Sequence, residues 1–156
     1  MQISVKAFGA LAVLIKSGES RDVAKFRRRV EDYEGDRPPI ALISAASELS
    51  LVSNTSALPE IGRLSGSRFL SVQLAAMTAI RHIADVRSIP VLIERLDDRN
   101  ESVQYSAVIT LAEILQKSGD YGPDIELFKK DRLHYIRRWK QWWVDEGSKS
   151  YSPAQN

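Results

Sequence analysis

Residues 72–80 read VQLAAMTAI and residues 103–111 read VQYSAVITL, so closely similar segments occur twice, 31 positions apart. In the first copy the apolar and small residues recur at spacings of three and four, which places them on one face of an α-helix. The second copy keeps this spacing, and a more divergent third copy lies at 41–52. Ala45, Ala76 and Ala107 hold the same position in the three copies. Because a small side chain lets a neighbouring helix approach closely, we predict that these alanines are buried between packed helices.

The segments that follow the copies repeat as well. Each of 53-SNTSALPEI-61 and 84-ADVRSIPVL-92 is a short polar turn with a proline, and Pro59 and Pro90 are again 31 positions apart. Proline is tolerated in the first turn of a helix, where its missing N–H has no intrahelical partner, so a second helix is predicted to begin at each. Neither helix of such a pair can bury its apolar face alone. Successive pairs are therefore expected to stack around a shared core.

This arrangement resembles the short HEAT-like repeats named after phycobilisome lyases. The resemblance is carried by VQLAAMTAIRHIADVRSIPVLIERLDD at 72–98 and VQYSAVITLAEIL at 103–115. The family commonly has arginine directly after the first valine, whereas this chain has Gln73 and Gln104. The resemblance implies an all-α fold: a right-handed α-solenoid of about four stacked helical hairpins with an aromatic capping helix at its C-terminal end.

The domain organisation predicted from these patterns is a single HEAT-like repeat domain over 1–146. Its approximate repeats are 1–36, 37–67, 68–98 and 99–130, followed by a capping helix at 131–146 and a disordered tail at 147–156. The first repeat is expected to hold one helix ending near Lys16 and another from Ser20 to about Tyr33. Near the other end, a loop should lead to a short helix from Ile125 to Lys130 and a last helix over 133–144.

Composition and motifs argue against catalysis. The chain has 156 residues, no cysteine and a net charge of +2, and its N-terminal apolar run at 6–16 is too short to cross a bilayer. His82 and His134 have no second ligand at metal-binding spacing, and 98–109 begins like a calcium loop but lacks its glycine and closing glutamate. We therefore predict a non-enzymatic cytoplasmic protein with no membrane segment, metal or cofactor.

The leading functional hypothesis is a protein-interaction scaffold or adaptor, because a solenoid offers a long curved surface and the sequence places no catalytic group on it. In HEAT-like folds the second helix of each pair lines the concave side. The resemblance therefore implies a partner-binding row of mixed charge, which favours another protein over a polyanion. Its members are Glu60, Arg63, Val91, Glu94 and Arg95.

The alternative is nucleic-acid binding through the segment at 129–143, KKDRLHYIRRWKQWW, which mixes basic and aromatic residues. The contacts would be Lys129, Lys130, Arg137, Arg138 and Lys140. The same segment also fits a hydrophobic cap, with Leu133, Ile136, Trp139 and Trp143 on one buried face and Trp142 more exposed. The arginines at 27–29 are expected on a solvated face. A third possibility, implied by the lyase namesakes, is an accessory role in chromophore attachment.

Overall fold

The computed structural model describes residue 12, residues 15–117 and residues 119–153. Within this part of the chain the regular structure is helical, with no β-strand and an isolated bridge between Gly119 and Gly122. The predicted all-α class is therefore confirmed. The chain divides into two compact units, Met1–Ile83 and Ala84–Asn156.

Residues 20–83 of the first unit form four α-helices. Helix α1 spans Ser20–Asp32, α2 spans Ile40–Leu49, α3 spans Leu58–Leu64 and α4 spans Leu70–Ile83, with a 3-10 turn at Thr55–Ala57 before α3. Helix α1 packs against α3, α2 packs against α4, and α3 also contacts α4. The second helix of the predicted first repeat is confirmed as α1, whereas most of the helix predicted to end near Lys16 lies outside the described residues.

The second unit contains α5 at Ile89–Arg95, α6 at Glu101–Ile114, α7 at Ile125–Lys130 and α8 at Arg132–Trp142. A 3-10 turn at Val86–Ser88 precedes α5, and α6 packs against both α5 and α8. Helix α7 has the bounds that the sequence predicts. Beyond α8 a π-helical turn, Trp143–Gly147, leads into α9 at Ser148–Tyr151, so part of the tail predicted to be disordered is helical.

The 31-residue register is present in the folded chain as well as in the sequence. The 3-10 turns, the short helices α3 and α5, and the long helices α4 and α6 are each displaced by that number of residues. The turns begin in the same way, because Asn54 Oδ1 accepts from Ser56 N at 3.0 Å and Asp85 Oδ1 accepts from Arg87 N at 2.8 Å. The 3-10 turn of each of these two repeats thus starts on a side-chain acceptor that caps it.

Gln73 and Gln104 occupy equivalent positions and make equivalent buried hydrogen bonds. Gln73 Nε2 donates to the carbonyl of Ser65 at 3.0 Å, and Gln104 Nε2 donates to the carbonyl of Leu96 at 3.2 Å. Ser65 and Leu96 are the C-cap residues of α3 and α5. Carbonyls at helix ends lack intrahelical partners, so each glutamine satisfies one of them and fixes the turn between the short and the long helix.

The alanines of the repeated phrase are buried as predicted. Ala45, Ala76 and Ala107 have no accessible surface, and the apolar residues Val72 and Ile80 beside Ala76 are equally buried. Because Ala45 lies on α2 and Ala76 on α4, these two alanines belong to helices that pack together in the first unit.

The loop that begins like a calcium site is a pair of side-chain caps. Asp98 Oδ1 accepts from Asn100 N at 2.9 Å, and Asn100 Oδ1 accepts from Ser102 N at 2.8 Å at the start of α6. Both oxygens therefore accept hydrogen bonds from backbone N–H groups. This agrees with the prediction that the segment is a loop between repeats.

Replacing Ala76 by leucine should destabilise the first unit. Adding three carbons to a position without accessible surface overpacks the interface, which should lower the free energy of unfolding by about 1 to 3 kcal/mol. Urea denaturation followed by circular dichroism measures the change. Thr78→Leu, an exposed site on the same helix, is the control and should change stability by less than about 0.5 kcal/mol. Equal effects of the two variants would contradict burial of Ala76.

Asp85 should contribute a pH-dependent share of the stability. Hydrogen bonds from the side chain and backbone of Arg87 hold the pKa of this carboxyl well below its usual value, at about 2. A depressed pKa means that the stabilisation is complete above about pH 4 and is lost as the pH falls towards 2. Asp85→Asn keeps a cap like that of Asn54 but carries no charge. The urea midpoint of the parent should therefore be higher than that of Asp85→Asn at pH 7, and the two midpoints should converge near pH 2. A difference that stays constant over this range would rule out the ion pair as the cause of the difference.

Candidate partner-binding surface

The predicted partner-binding row lies on the short helices α3 and α5, but its members differ in exposure. Arg63 and Glu94 occupy equivalent positions and are open to solvent, with 59% and 70% of their side chains exposed. Glu60 and Arg95 were expected to point outward, yet each side chain is only 19% exposed. Val91 is half-buried. Arg63 and Glu94 are therefore the charged members of this row that a partner can reach most readily.

Glu60 is shielded because it pairs with an arginine from α1. Arg27 Nε donates to Glu60 Oε2, and Arg27 Nη1 donates to Glu31 Oε2 at 2.7 Å. Burial alone would lower the pKa of Arg27, but its bonds and charge interactions with Glu60 and Glu31 raise the pKa above its ordinary value. The guanidinium therefore stays charged inside the α1–α3 interface. The expectation that Arg27 lies on a solvated face is wrong.

The spacing of residues along α1 indicates that Arg27 is buried. Arg27 follows Val23 by four residues and precedes Val30 by three, which puts it on the apolar stripe of the helix. Val23 and Val30 are both buried. A charge on such a stripe needs a partner because an unpaired buried ion is costly. Glu60 is that partner, and no sequence rule links two residues so far apart in the chain.

A cleft of about 260 Å³ opens beside this ion-pair network in the first unit. Arg27 and Glu31 of α1 line one side, and Arg63 and Leu64 of α3 line the other. Arg68, from the loop before α4, completes the wall. Arg63 is thus the one member of the predicted row that lines this cleft, and sequence analysis missed the other charged residues around it.

Arg68 is held in place by neutral acceptors. Its Nη2 donates to the carbonyls of Tyr33 at 2.6 Å and Gly35 at 2.9 Å. Its guanidinium carbon lies 4.1 Å from the centroid of the Phe69 ring, a cation–π geometry. These contacts fix the position of Arg68 without neutralising its charge.

In the second unit the equivalent surface is more nearly balanced in charge. Arg95 Nη1 lies 3.9 Å from Asp98 Oδ2, and its Nη2 donates to Glu94 Oε2 at 3.4 Å. Arg95 therefore serves the loop after α5, and Glu94 projects an acidic group at the position that Arg63 holds in the first unit. The two short helices present opposite charges at one equivalent position.

The tryptophans of the C-terminal segment are mainly structural. Trp139 has no accessible surface, and its Nε1 donates to the carbonyl of Tyr121 at 2.9 Å. Trp142 is also buried and meets Trp139 edge to face, with ring centroids 5.4 Å apart. Trp143 is half-buried. The prediction that Trp143 is buried and Trp142 exposed is therefore wrong, although burial of Trp139 is confirmed.

The reversal has a local cause. Helix α8 ends at Trp142, and the chain continues from Trp143 in a π-helical turn, which departs from the α-helical spacing on which the prediction rested. Gly147, in the same turn, lies directly against the Trp142 ring, where a Cβ would come within 2.5 Å of a ring carbon. Glycine thus makes room for Trp142. Leu133, also expected on the buried face, is half exposed.

The proposed nucleic-acid contacts lie in the second unit, and two of them already contact other side chains of the same unit. Lys129, Lys130 and Arg137 are exposed. Arg138 stacks over the Tyr121 ring at 4.3 Å, and Lys140 Nζ binds Asp97 Oδ1. Base stacking needs accessible aromatic rings, but Trp139 and Trp142 are buried. The structure therefore does not favour this alternative.

The described part of the chain shows neither a metal-ligand cluster nor a membrane-spanning helix. No group of three or more His, Cys, Asp or Glu side chains there could hold a metal ion. His82 Nδ1 lies 3.1 Å from the Ser50 carbonyl, and the His134 ring stands edge to face on Tyr135. No helix among these residues is both long and apolar enough to span a bilayer.

One segment of the chain matches a known repeat family. Residues 72–98 match the family described as PBS lyase HEAT-like repeat. The chain therefore contains a HEAT-like repeat. The match covers α4, the 3-10 turn before α5, and α5, the stretch in which the 31-residue register is clearest. HEAT-like repeats are generally non-enzymatic helical modules that commonly mediate protein interactions. Neither the curated proteins nor the solved structures gave a match.

The three tryptophans of the C-terminal segment should differ in their effect on stability. Trp139→Ala and Trp142→Ala each remove a buried ring and should lower the free energy of unfolding by about 3 to 5 kcal/mol. Trp143→Ala, at a half-buried site, should cost clearly less. Thermal or urea denaturation of the three variants measures the order. A larger loss for Trp143→Ala than for Trp142→Ala would contradict the burial described above.

Proposed function

We propose that this protein is a non-catalytic scaffold or adaptor that binds another protein along the exposed face of its short helices. The observation that carries the proposal is that one charged position of the short helices, Arg63 on α3 and Glu94 on α5, is exposed in both repeats. A charged residue that is solvent-exposed in both repeats is available for recognition. Its opposite sign in the two repeats favours a partner of mixed charge over a polyanion.

The wider architecture belongs to the same proposal. A right-handed solenoid of about four hairpins with a C-terminal cap would set Glu60, Arg63, Val91, Glu94 and Arg95 on its concave side, as the HEAT-like resemblance implies. Support comes from the matched repeat and from the buried aromatic residues of α8. A single cytoplasmic domain over 1–146 is the corresponding prediction for organisation and location.

Site-specific photocrosslinking tests the proposed surface. A photoreactive amino acid placed at position 63 or 94 should capture the same protein from the native host, because both positions lie on the partner-binding row. The same amino acid at Thr78 or Glu126, exposed sites on α4 and α7, is the control. Capture from the control positions and not from 63 or 94 would place the interface elsewhere.

Charge reversal measures the contribution of the row to affinity. Glu94→Lys should weaken binding of the captured partner by about tenfold, the loss expected when a rim charge becomes repulsive by about 1.4 kcal/mol. Glu126→Lys carries the same charge change away from the row and should leave affinity unchanged. Titration calorimetry with the purified partner gives both values, and equal losses would point to a non-specific charge effect.

A further inference from the structure

The cleft beside α1 and α3 is small and is lined by both charged and apolar side chains, which limits what it can accept. Its volume of about 260 Å³ is below the roughly 300 to 1,000 Å³ typical of sites for whole organic ligands. Apolar atoms of Val30 and Leu64 contribute to the lining beside the arginines. A site of this size and composition suits one side chain of a partner protein.

The charges around the cleft leave one positive charge in excess. Arg27, Arg63 and Arg68 face the cleft together with Glu31, and Glu60 pairs with Arg27 behind it. Glu31 Oε2 accepts from Arg27 at 2.7 Å, whereas Glu31 Oε1 is 3.6 Å from Arg63 Nη2. The Glu31 carboxylate therefore lies closer to Arg27 than to Arg63. Arg63 is left with a long contact and an exposed guanidinium.

Arg68 adds a second guanidinium whose charge is not neutralised. It bonds to two carbonyls through Nη2, and it has no ion pair with any carboxylate in the described part of the chain. Because the Phe69 ring and these bonds already hold Arg68, binding an anion costs little further ordering. Arginine also presents a planar set of donors that matches a carboxylate.

We infer that this cleft binds the carboxylate of a single aspartate or glutamate side chain of the protein partner, with Arg63 and Arg68 as its donors. The inference rests on the proposed function and adds the chemistry of one contact. The excess of one positive charge matches a monoanion, and Val30 and Leu64 provide apolar contact for the methylene groups of an acidic side chain. Arg27 contributes by pairing with Glu60 and Glu31, which offsets their negative charge beside the cleft.

Nuclear magnetic resonance on the full ¹⁵N-labelled chain tests the inference. Arginine Nε–Hε signals are followed during titration with acetyl-Gly-Glu-Gly-Glu-Gly-amide and with the same peptide carrying glutamine for glutamate. We expect saturable shifts of the Arg63 and Arg68 signals with the glutamate peptide and none with the glutamine peptide. Equal responses to the two peptides, or shifts spread over all arginines including Arg29, would overturn the inference.

Matched variants separate a specific site from general attraction. Arg63→Gln should weaken binding of the glutamate peptide at least fivefold with an unchanged melting temperature, because Arg63 is exposed and makes one long ion-pair contact. Arg29→Gln removes the same charge from an exposed site two residues beyond Arg27, on the other side of α1, and should bind as the parent does. Equal affinities of the two variants would also overturn the inference.

Failure here is distinguishable from failure of the proposed function. If photocrosslinks form from positions 63 and 94 but the glutamate peptide does not bind, the scaffold function stands and the carboxylate contact is wrong. If no crosslink forms from either position although the peptide binds, the surface proposal fails while the cleft remains an acid-binding site.

Discussion

The hydrogen bond from a buried glutamine amide to the last carbonyl of a short helix is the interaction on which the repeat depends. Gln73 and Gln104 make this bond in the two halves of the chain, and each joins a long helix to the end of the short helix before it. The bond therefore holds the turn between the short helix and the long helix, which pack against each other. In the second unit Arg132 also donates to the side-chain oxygen of Gln104 at 2.9 Å.

Much of the fold could be predicted because helix periodicity and repetition are local properties of the sequence. The register of 31 located α3 to α6, the prolines marked the first turns of α3 and α5, and the conserved spacing identified the three buried alanines. The end of α8 could not be read in this way. The chain leaves α-helical geometry in the π-helical turn after Trp142, and Gly147 of that turn lies against the Trp142 ring.

The candidate site was predictable only in part, for a different physical reason. Arg63 and Glu94 were identified because an exposed helix position follows from the apolar positions around it. The cleft requires the pairing of Arg27 with Glu60, which are 33 residues apart, and the anchoring of Arg68 on two backbone carbonyls. Such contacts are set by how α1 packs on α3, and periodicity within one helix carries no information about them.

The equivalent position held by Arg63 in one repeat and Glu94 in the next has a consequence for how such chains diversify. The residues that close the turns, cap the helices and fill the core are fixed by the geometry of the repeat. This exposed position is not, because either sign of charge is tolerated there. When a repeat is duplicated, one substitution at this position can change the charge of the new repeat. The binding preference of the surface then changes while the fold is kept. New partners can therefore be acquired one repeat at a time.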